Sequence, residues 1–125
     1  MNIPILKLKG ILLTSIQIDL TDEEAIEFQS DVLHEIRHTE ARGIVIDITA
    51  MEVVDSYMAR ILNETATMVS LLGARAVITG MQPTVALTLV EMGRELIGVK
   101  TALNLEQGFD KLQAMLAEDE VKLDI

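Results

Sequence analysis

The sequence predicts an α/β fold, a single layered domain with a mixed, largely parallel sheet, an N-terminal strand pair and about four helices. Three observations carry that expectation. Short β-branched runs alternate with stretches of helical period, so strands and helices take turns along the chain. The helical stretches are bracketed by capping residues and glycines. The length, 125 residues of which 50% are hydrophobic, suits one core and leaves no room for a second domain. With only Phe28, Tyr57 and Phe109 aromatic, that core must be aliphatic.

Taken in order, residues 3–8 and 11–18 have apolar positions two apart around a break at Lys9-Gly10, which reads as the strand pair. Thr21 with Glu24 forms a capping box that opens a helix over roughly 22–40. Ala25, Phe28, Val32, Leu33 and Ile36 share one face of it, and Gly43 suits the position just past its end. Gly43 to Ile48 is a β-branched run of the kind covered on both faces. A second helical stripe of Met58, Ile61, Leu62, Thr65, Val69 and Leu72 ends at Gly73, and Ala74 to Thr79 supplies the next strand. Pro83 opens a third helix that runs to Gly93. Val99 to Leu103 is a short last strand, and Asn104 with Gln107 makes a second capping box before a helix carrying Leu105, Phe109, Leu112 and Leu116. The domain is expected to span 1–117, with 118–125 an acidic C-terminal tail that frays or docks weakly.

Twenty acidic against ten basic residues give a net charge of −10, which argues against a nucleic-acid partner because phosphate binding needs clustered cations. The absence of cysteine removes disulfides, thiol nucleophiles and thiolate metal sites. No signal-peptide pattern and no apolar run of membrane length occurs, so a cytoplasmic protein without membrane attachment is expected.

Neither G-x-x-x-x-G-K-S/T nor G-x-G-x-x-G is present, so the common nucleotide cradles are missing and no cofactor is expected. His34-Glu35-Ile36-Arg37-His38 matches the bare H-E-x-x-H pattern of a zinc hydrolase. It lies on an acidic helix with no cleft-building sequence after it, and two solvated histidines are the simpler reading. Asp47, at a strand end, has the position of a receiver-type phosphoacceptor but lacks the acidic pair and lysine that such a site requires. A polar strand-end residue bonding loop N–H groups accounts for it.

The segment from Val53 to Arg60 puts Asp55 and Ser56 where a loop turns into the second helix. Either is an ordinary N-cap. The alternative is a phosphorylation site at Ser56, where a phosphoryl group would stand among like charges from Glu52 and Asp55 and alter partner binding more than the fold. The third helix spreads Val85, Ala86, Leu87, Leu89, Val90 and Met92 around its circumference, more than one covered face needs: either the flanking helices cover the excess or it forms a self-association surface.

The chain resembles the STAS domain family, and within it the small scaffold proteins of the stressosome. The likeness rests on Ile3-Pro4-Ile5-Leu6-Lys7-Leu8, Val54-Asp55-Ser56-Tyr57, Thr79-Gly80-Met81-Gln82-Pro83 and Thr101-Ala102-Leu103-Asn104-Leu105-Glu106, and covers essentially the whole chain. The resemblance implies a non-catalytic scaffold that, with sensor proteins bearing a related C-terminal STAS domain, sequesters a switch serine/threonine kinase. It implies Ser56 as the phosphorylated serine, with Asp55, Ser56 and Tyr57 as the partner-binding residues, and a kinase that leaves on phosphorylation to activate a downstream effector. A stand-alone anti-sigma-factor antagonist is the alternative. Those antagonists carry Asp-Ser-Ser/Thr-Gly at the helix entrance, whereas this chain reads Asp55-Ser56-Tyr57-Met58, which favours the scaffold.

Overall fold

The computed structural model describes residues 3–91, 93 and 99–123. Its strands are β1 (Ile5–Leu8), β2 (Ile11–Ser15), β3 (Gly43–Asp47), β4 (Arg75–Thr79) and β5 (Lys100–Ala102), and its helices α1 (Asp22–Thr39), α2 (Ser56–Leu71), α3 (Pro83–Glu91) and α4 (Leu105–Leu123). The strands form one sheet in chain order. β1 and β2 are antiparallel, and each later neighbour is parallel. This is the α/β architecture the sequence predicts.

The hairpin turns on Lys9 (φ 53) and Gly10 (φ 77), the paired left-handed conformations that match the twist of adjoining strands. β2 stops at Ser15 rather than Ile18, whose side chain is exposed. Both bonds of the Thr21/Glu24 capping box form, at 3.0 Å and 3.2 Å, so α1 begins where its cap dictates. Its far end departs from expectation. Glu40 itself takes the left-handed conformation (φ 54), and Gly43 instead opens β3. Glycine is needed there for a different reason: a Cβ would stand 2.8 Å from Leu112 Cδ2 and 3.0 Å from the Arg75 carbonyl, so α4 packs directly on that backbone.

Parallel neighbours joined by right-handed crossovers place the intervening helices on one face of the sheet. There Ile44, Ile46 and Ile78 meet Phe28, Val32 and Ile36 of α1, Met58, Leu62 and Val69 of α2, and Val85 and Leu89 of α3. On the other face a smaller cluster joins Ile11, Val45 and Val77 to Leu112 and Leu116 of α4. All five residues of β3 are buried, as a central strand covered on both faces requires.

The segment from Glu118, expected to fray or dock weakly, is helical through Leu123. Two arginines from strand entrances hold it: Arg75 Nη1 reaches Asp119 at 3.0 Å and Arg42 Nη1 reaches Glu120 at 2.7 Å. At the other end of α4, Asn104 Oδ1 accepts from the Gln107 N–H at 2.9 Å. On α3, Val85 and Leu89 are buried while Leu87 and Val90 are exposed, so its apolar residues do extend beyond the monomer core. Met92 and Ile125 lie outside the described residues. Among those residues no helix is long and apolar enough to cross a membrane.

Candidate functional site

The C-terminal edge of a parallel sheet is where loops and helix N-termini converge, and here it carries a row of polar residues set by register. Ser15 lies beside Asp47, and Asp47 beside Thr79, at the ends of β2, β3 and β4. The buried Asp47 carboxylate accepts from Thr79 Oγ1 at 2.8 Å, Thr49 Oγ1 at 2.9 Å and Ser15 Oγ at 3.2 Å, with the Thr49 N–H at 3.4 Å. Sequence reasoning expected loop N–H groups around Asp47; the main donors are hydroxyls from neighbouring strands and the loop. The signal was present in the polar residues that end three successive apolar runs, but it becomes visible only when those runs are aligned.

This cluster fixes the loop that leads to α2. The Ile48 N–H donates to the Thr79 carbonyl at 2.9 Å, and Gln82 Nε2 donates to the Thr49 carbonyl at 2.7 Å. Gly80 (φ 74) lies so near that a Cβ would overlap Thr49 Oγ1. Met51 and Val54 are buried beneath the loop, which leaves Val53 facing outward. Anchored in this way, the chain enters α2 at a defined place.

Asp55 is the N-cap of α2, with extended backbone (φ −85, ψ 178), and its Oδ1 accepts from the Met58 N–H at 2.8 Å. Ser56 is the first helical residue. The sequence left open which of the two caps the helix, and the structure assigns the cap to Asp55. The Ser56 side chain is exposed and forms no hydrogen bond among the described residues, so its hydroxyl is presented at the positive end of the α2 dipole. Tyr57 is half-buried, and Arg60 lies over its ring with the guanidinium carbon 5.2 Å from the centroid. Arg60 Nε also stands 3.8 Å from Glu64, one turn on. The Tyr57–Arg60 pair was missed in the sequence, although its i,i+3 spacing is that of neighbours on a helix. A shallow cavity of about 330 Å³ opens beside the entrance, lined by Asp19, Leu20, Met51, Val53, Asp55 and Met58. Asp55, Ser56 and Tyr57 thus form one surface, with a free hydroxyl at its centre.

The imidazoles of the H-E-x-x-H pattern lie elsewhere. His34 and His38 are exposed on α1 and stack against each other, ring centroids 5.8 Å apart and 6° from parallel. Ile36, between them in sequence, is buried in the core.

Known proteins share this geometry and sequence. The chain is 43% identical to RsbS from Moorella thermoacetica, solved as a serine-to-glutamate variant, with a TM-score of 0.83 over 94% of this chain and 99% of that one. It is 45% identical to a chain in a structure of the stressosome, described there as a signal integration and transduction hub; the TM-score is 0.79 over 90% and 98% of the two chains. It is 29% identical over 107 residues to the RsbT co-antagonist protein RsbRA of Bacillus subtilis, covering 86% of this chain and 36% of that protein. The chain therefore spans about a third of that curated relative. The anti-sigma factor antagonist SpoIIAA, 11% identical with a TM-score of 0.72, shares the fold. Residues 2–108 match the STAS domain, and with that match covering most of its length the chain belongs to the STAS domain family.

Proposed function

We propose that this chain is a non-catalytic stressosome scaffold of the cytoplasm that holds a switch serine/threonine kinase inactive and releases it when Ser56 is phosphorylated. The observation that carries the reading is the separation of duties at the α2 entrance. Asp55 caps the helix, so the exposed Ser56 hydroxyl has no structural task and is available for modification. The high identity to RsbS and to a stressosome chain over nearly the whole length supports the choice of scaffold over a stand-alone antagonist. So does the entrance sequence, where bulky Tyr57 and Met58 follow the serine. The partial match to RsbRA supports sensor proteins with a related STAS domain as co-assembling partners.

A phosphoryl group brings a charge of about −1.5 to −2 and three acceptor oxygens. At Ser56 it would be favoured by the helix N-terminus and opposed by Asp55 and Glu52, so the fold is retained while the surface around Tyr57 becomes more negative. A kinase docked there loses its binding site through local electrostatics, and no rearrangement of the aliphatic core is needed. The exposed Leu87 and Val90 of α3 supply apolar area for assembly.

The test is reconstitution with a cognate sensor protein and kinase. Before ATP is added, all three should elute together in a particle far larger than any component; after it, the kinase should elute alone. A one-to-one complex with an anti-sigma factor and no large particle would refute the scaffold reading in favour of the antagonist.

A further inference from the structure

Ser56, Arg60 and Glu64 follow one another a turn apart along the exposed side of α2. Arg60 is the one cation of that helix, and between Arg42 and Arg75 the sequence holds no other Lys or Arg. Its pairing with Glu64 is a weak one. Nε lies 3.8 Å from the carboxylate with the side chains 52% and 46% exposed, and an exposed pair contributes little. The base also precedes the acid along the helix, which is the less favourable order.

The contact with Tyr57 shows which way the Arg60 side chain leans. Long side chains on a helix point back toward its N-terminus, over the residues three and four before them. For Arg60 these are Tyr57 and Ser56, and the guanidinium carbon already stands 5.2 Å from the Tyr57 ring centroid. Tyr57 packs against the core and is held there. The mobile part of the pair is the guanidinium, poised over the first turn of the helix, where the Ser56 hydroxyl has no partner among the described residues.

A phosphoserine at position 56 inverts this balance. It sets a charge of about −1.5 to −2 four residues before an arginine, acid first and base second, which is the favourable order. Its oxygens match the guanidinium fork, whereas Glu64 engages Arg60 through Nε at the limit of an ion pair.

We propose that Arg60 receives the Ser56 phosphate: on modification its guanidinium leaves Glu64 and the Tyr57 ring and pairs with the phosphoryl oxygens. The proposal deepens the switch described above and rests on phosphorylation at Ser56. It gives the modification a reach that added charge alone lacks. One phosphate uncovers the Tyr57 ring and frees the Glu64 carboxylate, about 12 Å along the helix at 1.5 Å per residue. The face shown to a partner then changes over two turns while the backbone stays in place. The arginine also offsets the repulsion from Asp55 and Glu52, so the entrance to α2 is kept.

The test installs phosphoserine at position 56 during translation, without any kinase. A kinase that fails to modify Ser56 and an Arg60 that fails to receive the phosphate are thereby told apart. Phosphorus NMR titration reads the second pKa of the phosphate, ordinarily about 6. Asp55 and Glu52 raise it in every variant, whereas Arg60 lowers it, so Arg60→Gln should raise it by about 0.5. Arg60→Lys, which keeps the charge without the fork, should lie between the two. Lys122→Gln removes the same charge from α4, on the opposite face of the sheet, and should match the parent. Positions 60 and 122 are both exposed, so these variants should fold as the parent does. Tyr57 gives a second readout, because the chain has one tyrosine and no tryptophan. Phosphoserine should move the near-ultraviolet circular dichroism band of the parent toward that of unmodified Arg60→Gln, and should leave the band of Arg60→Gln where it is. An unchanged phosphate pKa in Arg60→Gln, an equal rise in Lys122→Gln, or a Tyr57 response that persists in full without Arg60 would each overturn the proposal.

Discussion

Replacing Asp55 and Ser56 one at a time separates the structural part of the α2 entrance from the signalling part proposed for it. Asp55→Ala removes the acceptor that holds the Met58 N–H at 2.8 Å, and one of the helix's initial N–H groups loses its partner. Loss of such a cap costs about 1 kcal/mol, within a range of about 0.5–2. For a domain of 125 residues that is a fall of roughly 4 °C in Tm. Ser56→Ala removes a hydroxyl with no partner among the described residues, and its effect on stability should stay within about 0.5 kcal/mol, as for other exposed positions. Urea and thermal unfolding of the two variants, run side by side, give the comparison. In the kinase assay the order should reverse: Asp55→Ala still accepts phosphate, while Ser56→Ala accepts none and retains the kinase. If Ser56→Ala were destabilised as much as Asp55→Ala, Ser56 would be a capping residue and the argument for a free hydroxyl would fail.

Three further outcomes follow from the packing and the caps. Asp47→Ala should lower stability by about 3 kcal/mol in urea titration, because it strips an acceptor from three hydroxyls and leaves the fully buried Thr79 unpaired; a loss below about 1 kcal/mol would contradict that role. Gly108→Ala should destabilise by about 1–3 kcal/mol, since the new Cβ would overlap Thr79 Cγ2 and lie 3.2 Å from Val45 Cγ1; the gain of about 1 kcal/mol expected from helix propensity alone would show that α4 does not pack this closely. Thr21, through its backbone N–H and then its hydroxyl, holds the Glu24 carboxyl below the usual value of 4.5, so the ionised form favours the folded state. That contribution is present above the unfolded value and lost as pH falls through the lower folded one, so the stability difference between the parent and Glu24→Ala should be constant at neutral pH and shrink in acid.

Much of this molecule is legible in its sequence because each local signal agrees with the global fold. The Thr21/Glu24 box, Pro83 and the aliphatic period of α2 each locate an element to within a residue or two. What escapes the sequence depends on distant partners. Gly43 reads as a helix terminator, yet its lack of a side chain serves Leu112, which arrives from the far end of the chain. The residues from Glu118 read as an acidic tail that frays or docks weakly, and the partners that hold it, Arg42 for Glu120 and Arg75 for Asp119, stand at distant strand entrances. At the candidate site, Ser56 stands out through its neighbours in the chain. The cluster around Asp47, which fixes the loop beneath it, arises only from the lateral register of three strands.

The most direct test of the switch is to incubate the purified protein with a cognate stressosome kinase and ATP and to map the product by mass spectrometry. The account predicts one phosphate on Ser56, none in Ser56→Ala, and loss of kinase from the complex in step with modification. Phosphate carried by another residue while Ser56 stays unmodified, or kinase release that proceeds unchanged in Ser56→Ala, would contradict it.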